Sequence, residues 1–396
     1  MDKKKIYKSK DACCGCTACY SVCPVKAISM STDEEGFLYP QVNMDKCIEC
    51  KICEQVCPLK LEKKSQNTPL CLYAVKNKKE YERINSTSGG VFSVIAEYVE
   101  LHCGVIYGAA FDEQYKVTHM RAESQGEWKK FCVSKYSQSD LKNTYEKVNK
   151  DLKNNRVVLF SGTPCQVDGL KSYLDKKKVP TDKLITCDIV CHGVPSPKIW
   201  DDYIKYLKKC TRKKIGYISF RDKKETGWHN SRFVVKDKED EVLISDSHEE
   251  NYYYQLFACH YILRQSCHKC KYSNFYRPGD ISLGDFWGVE KKIPDFDDDK
   301  GISLVMINSE NGRNIWKKIA DKVESIDITL EQAIQPNLQS PSPENPNRNN
   351  FWYWYKKYGF YITGQKMGFI RKNMKDTCLI YIYRCLEKIN QILKTK

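Results

Sequence analysis

Cys13-Cys14-Gly15-Cys16-Thr17-Ala18-Cys19-Tyr20-Ser21-Val22-Cys23-Pro24 and, 34 residues later, Cys47-Ile48-Glu49-Cys50-Lys51-Ile52-Cys53-Glu54-Gln55-Val56-Cys57-Pro58 share one spacing, Cys-x2-Cys-x2-Cys-x3-Cys-Pro. Two-residue gaps let three thiolates of one tight loop face the same point, as an iron-sulfur cubane requires, and the fourth cysteine of such a run reaches the other cluster. Cys13, Cys16, Cys19 and Cys57 are therefore expected to hold one 4Fe-4S cluster. Cys47, Cys50, Cys53 and Cys23 are expected to hold a second. Cys14 falls outside the spacing and reads as a non-ligand. A disulfide framework and a pair of zinc sites fit less well. Met1 to Lys10 is polar and lysine-rich, without the apolar stretch of a secretory leader. Zinc sites pair separated Cys-x-x-Cys knuckles rather than four cysteines in eleven residues.

Working outward, the chain has 396 residues and 21 cysteines, of which the two runs take only eight. That length suggests two or three domains. The repeat and the turn Asp33-Glu34-Glu35-Gly36 between two short strands mark residues 1–65 as a two-cluster ferredoxin module. Residues 62–69 read as a polar linker. Residues 70–335 then alternate strands and helices, with strands at Leu72–Lys76, Val105–Phe111, Val157–Phe160 and Leu184–Val190 and helices at Val91–Leu101, 141–153 and 198–209. A β-rich part follows. Residues 336–396 read as an irregular connector and a basic aromatic tail. The expected fold class is α+β: a small bacterial-type ferredoxin module followed by a mixed α/β domain.

The formal charge of +15 comes from 65 Lys and Arg against 50 Asp and Glu, with Lys far ahead of Arg and scattered along the chain. No nucleic-acid motif gathers Arg and aromatics on one element, so nucleic acid is not an expected partner. The apolar region around Val91 to Phe111 is interrupted by Glu97 and Glu100, so no transmembrane segment is expected and the chain is placed in the cytoplasm. The tail from Phe351 offers a peripheral membrane contact. The simpler reading packs it on its own domain with a solvated lysine face.

In strand-helix repeats the loops after the strands gather at one sheet edge. Ser161-Gly162-Thr163-Pro164-Cys165 and Cys191-His192-Gly193 both follow strands, so Cys165 and Cys191 are expected near each other. For Cys267-His268-Lys269-Cys270 alone, a zinc knuckle and a cluster compete evenly. Cys71, Cys103, Cys210, Cys378 and Cys385 read as buried small hydrophobes. Arg221 to His229 reads as a charged turn, either a solvated hairpin or a site for an anionic substrate. No Gly-x-Gly-x-x-Gly follows a strand, which argues against an NAD-binding unit.

Thr163-Pro164-Cys165-Gln166 with Gly169-Leu170, Cys191-His192-Gly193-Val194-Pro195 and Cys267-x-x-Cys270 resemble the coenzyme F-420 hydrogenase/dehydrogenase beta-subunit family. Ser88-Gly89-Gly90, Ser134-Lys135-Tyr136 and Gly284-Asp285-Phe286-Trp287-Gly288 match in the same order. The resemblance implies a main domain that binds FAD beside a third 4Fe-4S cluster held by Cys165, Cys191, Cys267 and Cys270, with Cys187 ranked below Cys191. Ser88, Gly89 and Gly90 open a helix suited to a phosphate, although an ordinary serine cap is an equal reading. Lys135, Tyr136 and Thr163 are further flavin candidates, and His192 is the candidate proton donor. The resemblance implies an iron-sulfur flavoprotein oxidoreductase exchanging a hydride with F-420 or another small substrate. Bacterial relatives often accompany surface-polysaccharide genes. The alternatives are a subunit relaying electrons to a redox partner protein, and a structural zinc-and-cluster protein without flavin.

Overall fold

The computed structural model describes residues 3–61 and 68–369. In the N-terminal part, β1 (Lys3–Lys5), β2 (Ile28–Thr32) and β3 (Leu38–Asn43) form an antiparallel sheet in the order β1-β3-β2. The two cysteine loops pack against it, each continuing into a short helix, Ala18–Val22 or Ile52–Gln55. The 34-residue repeat extends to the backbone. Gly15 and Thr17 have φ of 71° and 63°, and Glu49 and Lys51, their counterparts, have 52° and 57°. Left-handed residues alternating along such a loop turn its N–H groups toward one concavity, the geometry of an iron-sulfur or anion nest.

The main body carries β4 (Cys71–Asn77), β5 (Val105–Phe111), β6 (Val117–Ala122), β7 (Val158–Gly162), β8 (Leu184–Ile189), β9 (Ile215–Asp222), β10 (Arg232–Asp237), β11 (Val242–Asp246), β12 (Ile281–Asp285), β13 (Ser303–Ile307) and β14 (Val323–Asp327). Among the described residues eight of these form one sheet in the order β14-β4-β13-β12-β8-β7-β5-β6. β12, β8, β7 and β5 pair in parallel and the flanking strands antiparallel. Parallel strands are covered on both faces, and Val158, Leu159 and Phe160 are accordingly all buried. One face is covered by the helices Val91–Leu101 and Glu310–Ile319. The other is covered by Thr144–Lys153 and Pro164–Lys176, and there Cys16, Ala18, Val22 and Val56 of the N-terminal module join the same apolar core. The parallel arrangement brings the carboxyl ends of β7, β8 and β12 to one edge. β9, β10 and β11 form a separate antiparallel sheet packed with the helices Pro197–Thr211, Tyr252–Ala258 and Arg348–Lys366.

Several expectations are corrected. The helix expected from residue 141 begins at Thr144, because Lys142 takes a positive φ of 46° and the chain makes a turn first. The charged stretch after β9 is no solvated hairpin. Arg221, Lys223 and Trp228 are buried, with Arg221 paired to Asp285 and Lys223 donating to the carbonyls of Ser88 (2.7 Å) and Lys300 (2.6 Å). Cys103 and Cys210 are exposed rather than buried. Phe351, Trp352, Tyr355 and Phe360 of the C-terminal helix are buried against the body, so its aromatic side is already covered. Cys378, Cys385, most of the expected linker and the end of the tail lie outside the described residues. Among the described residues no helix is long and apolar enough to cross a membrane.

The Asp33–Gly36 turn fastens the module to the body. Gly36 has φ +90° and lies so close to Lys198 that an added Cβ would meet the Lys198 Cβ at 2.3 Å. The Ser196 hydroxyl donates to the Glu35 carbonyl, and the Glu35 carboxylate takes a two-pronged bond from the Arg348 guanidinium, Nη1 at 2.9 Å. Both ionic side chains are buried. Removing one member of such a pair strands the other charge. Glu35→Ala is therefore expected to lower stability by ~3–5 kcal/mol, and the double variant Glu35→Ala/Arg348→Met by less than the single one. Urea unfolding of the anaerobically prepared protein, followed by tryptophan fluorescence, measures both.

Candidate redox site

Eight N-terminal cysteines separate into two groups that cross between the repeats. Cys23, Cys47, Cys50 and Cys53 line one cavity of about 120 Å³. Cys13, Cys16 and Cys19 each have Cys57 as an electrostatic neighbour. Cys50, at the rim of the first group, is exposed, and Ile48 beside it is 61% exposed, whereas Cys16 is buried. One group thus faces solvent and the other faces the body.

A third group stands at the carboxyl edge of the large sheet. Cys165 opens the helix after β7, Cys191 follows β8, Cys267 lies within the short Gln265–Lys269 turn and Cys270 directly follows it. Cys191 has Cys267, Cys165 and Cys270 as neighbours. Burial drives the Cys191 thiol well up and takes the Cys267 thiol to about 12, with neighbouring thiols adding to both. Four partly buried thiols whose neighbours oppose one another's ionisation suit a multivalent cation, whose charge reverses that penalty. Cys187 lies apart, buried in the apolar core under β8. The inner N-terminal group and the third group nearly touch: the Cys14 thiol neighbours both Cys16 and Cys165. Gly169 makes that approach feasible, since a Cβ there would stand 2.9 Å from the Cys16 sulfur.

Beside the third group lies a cavity of about 650 Å³, within the ~300–1,000 Å³ range of ligand pockets. Cys191 and His192 form part of its wall. Gly90, Val91 and Phe92, at the start of the Val91–Leu101 helix, form another part, and Gly90 caps that helix with no side-chain bond. Ser88 also faces the cavity, but its hydroxyl donates to Ile302 O (2.8 Å). Gly89 is pressed against the strands, where an added Cβ would meet Val75 O at 2.3 Å, and its N–H donates to Ser303. Lys135 lines the cavity and donates to Lys130 O (2.5 Å), and loss of solvation pulls its ammonium down to about 7. Tyr136 stacks on Phe257 with ring centres 4.6 Å apart. The Thr163 hydroxyl lies 3.2 Å from the Cys165 sulfur.

His192 Nδ1 faces Asn337 Oδ1 at 3.2 Å, and its buried Nε2 has no partner among the described residues. Burial, with the nearby His260, lowers it to about 4. At neutral pH it therefore offers a lone pair at Nε2 rather than a proton. The unpartnered Nε2 of His192 and the buried amide nitrogen of Gln335, also without a partner among the described residues, both belong to residues lining the cavity, as polar groups of a ligand pocket do.

The sequence reading missed several wall residues. Asp285 and Trp287 belong to a motif noted only for its resemblance. Trp287 stacks on Trp228 at 5.4 Å beneath the Arg221 guanidinium, 4.6 Å away. The connector from Gln335 to Pro343 lines the cavity as well, and its composition carries no periodic signal. His119 lies at the cavity floor. Its Nε2 donates to Ser161 O (3.0 Å), and its Nδ1 accepts from Ser139, whose hydroxyl accepts in turn from Gln166 (2.9 Å).

A family model for the C terminus of the coenzyme F-420 hydrogenase/dehydrogenase beta subunit matches residues 155–331. A 4Fe-4S dicluster domain model matches residues 12–61. No curated protein matches the chain. Among solved structures, a chain of the xenon-derivatized F-420-reducing NiFe hydrogenase complex from Methanosarcina barkeri aligns over 72% of this chain and 99% of its own, at 17% identity and a TM-score of 0.47.

Burial lowers His119 to about 4, below the ~6.5 of an unfolded chain. Between those values the unfolded chain binds the extra proton, so stability is full above about pH 6.5 and falls as pH drops toward 4. Lowering the pH from 7 to 5 is expected to cost about 2 kcal/mol through His119. His119→Gln is expected to remove that part of the pH dependence, as measured by urea unfolding at the two pH values.

Proposed function

Since the chain belongs to the coenzyme F-420 hydrogenase/dehydrogenase beta-subunit family and carries a 4Fe-4S dicluster domain at its N-terminus, we propose that it is an iron-sulfur flavoprotein oxidoreductase linking cluster electrons to hydride chemistry at FAD. The observation that carries this reading is the position of Cys191, which belongs both to the third cysteine group and to the wall of the large cavity. Clusters exchange single electrons and a flavin exchanges a two-electron hydride, so FAD in that cavity would supply the conversion.

The residues fall into roles. Cys13, Cys16, Cys19 and Cys57 hold an inner cluster. Cys23, Cys47, Cys50 and Cys53 hold an outer one, and Cys165, Cys191, Cys267 and Cys270 hold the third. The start of the Val91–Leu101 helix favours a phosphate through its unpaired backbone N–H groups and its dipole. Tyr136, Phe257 and Trp287 supply aromatic surface, and Lys135 supplies positive charge whose strength varies near neutral pH. His192 acts as a proton acceptor at Nε2, oriented through Nδ1 by Asn337. The substrate is F-420 or another small hydride-exchanging metabolite. The exposed Cys50 edge is where a redox partner protein would meet the outer cluster.

Cys191→Ser is expected to lose about four of about twelve irons, keep its FAD, and lose rapid flavin reduction by dithionite-reduced clusters in anaerobic stopped-flow absorbance. Cys187→Ser is expected to keep iron, flavin and rate. Full iron and an unchanged rate in Cys191→Ser would contradict the assignment.

A further inference from the structure

Five arginines among the described residues are buried, and four of them meet a carboxylate: Arg83 with Asp298, Arg221 with Asp285, Arg277 with Asp188 and Arg348 with Glu35. Arg264 is the exception. It is 0% exposed, and its donors go to neutral groups: Nε to Cys13 O (2.8 Å), Nη1 to Gln138 Oε1 (2.9 Å) and Nη2 to Leu38 O (3.0 Å). Its guanidinium lies over the Tyr39 ring at 4.1 Å. Nη2 also lies 3.8 Å from the Cys13 sulfur. A buried cation without a counter-charge is costly, and neutral acceptors do not supply one.

The chain is shaped to admit this guanidinium. Gly15, with φ +71°, leaves space that a Cβ would take from it, at 2.9 Å from Nη1. Arg264 comes from the main body, where its N–H donates to Val194 O and its carbonyl accepts from the N–H of Cys267. It therefore extends from the loop of the third cysteine group to the first cysteine of the inner one. Among the described residues the outer group has no equivalent. The charged side chains lining its cavity are Glu49, Lys51 and Glu54, of mixed sign.

We propose that Arg264 is the counter-ion of the inner cluster and holds its reduction potential above that of the outer cluster. The inference rests on the cluster assignment above. Thiolate-bound clusters carry net negative charge, and their potentials follow local charge and hydrogen bonds to sulfur. A fixed guanidinium at the Cys13 sulfur stabilises the reduced, more negative state. Electrons distributed over the module at equilibrium then reside on the inner cluster, nearest Cys165.

The test is a redox titration of the anaerobic holoprotein, with cluster signals followed by electron paramagnetic resonance. In the wild type the two N-terminal clusters are expected to titrate separately. In Arg264→Gln the higher potential is expected to move down toward the lower with iron content unchanged, and Arg264→Lys is expected to retain most of the separation. Gln138→Glu is a second variant that keeps Arg264 and places a carboxylate on it, and the same downward shift is expected. Unmoved potentials in a fully loaded Gln138→Glu or Arg264→Gln protein would overturn the assignment of Arg264 alone. A wild type whose N-terminal module holds no cluster would overturn the cluster reading and this inference with it.

Discussion

The sulfur of Cys16 lies where a side chain at residue 169 would stand. Cys165 and Gly169 are four residues apart on one helix, so they share a face, and the N-terminal module settles on that face with the Cys14 thiol beside both Cys16 and Cys165. A larger residue at 169 would force the module away from the body. The shared apolar core, in which Ala18 and Val22 pack with Val167 and Leu170, depends on the same approach. The module is thus built into the body rather than tethered to it.

Charge reinforces this placement. Glu35 and Arg348 tie the hairpin turn to the C-terminal helix, with Arg348 also donating to Leu263 O, and the next residue, Arg264, reaches the same hairpin at Leu38 O and the first cysteine loop at Cys13 O. Buried ion pairs contribute little net stability against hydrophobic replacements, but they penalise alternative arrangements that leave a charge unpaired. A single docking geometry is what closely placed redox centres require, because the separation between them must be fixed.

The cysteine runs, the helix Val91–Leu101 and the strand Val105–Phe111 were legible because spacing and apolar runs bounded by glycine are local signals. The convergence of Cys165 and Cys191 was legible from topology alone, since both follow parallel strands. The rest of the site depends on partners distant in sequence. Arg221 and Lys223 read as a solvated turn because Asp285 and the Ser88 carbonyl, which bury them, lie far along the chain. The Gln335–Pro343 wall lacks periodicity. Ser88 and Gly89 read equally as a phosphate loop or an ordinary cap, whereas much of their hydrogen bonding serves the joint between β4 and β13. His192 could be located in sequence, but its low affinity for protons follows from burial and could not.

The most direct measurement is iron, acid-labile sulfide and flavin per chain after strictly anaerobic preparation and reconstitution with both cofactors. About twelve irons, about twelve sulfides and about one FAD are predicted for three clusters beside one flavin. About eight irons with no flavin would contradict the account, leaving a dicluster relay on a body that holds neither a third cluster nor FAD.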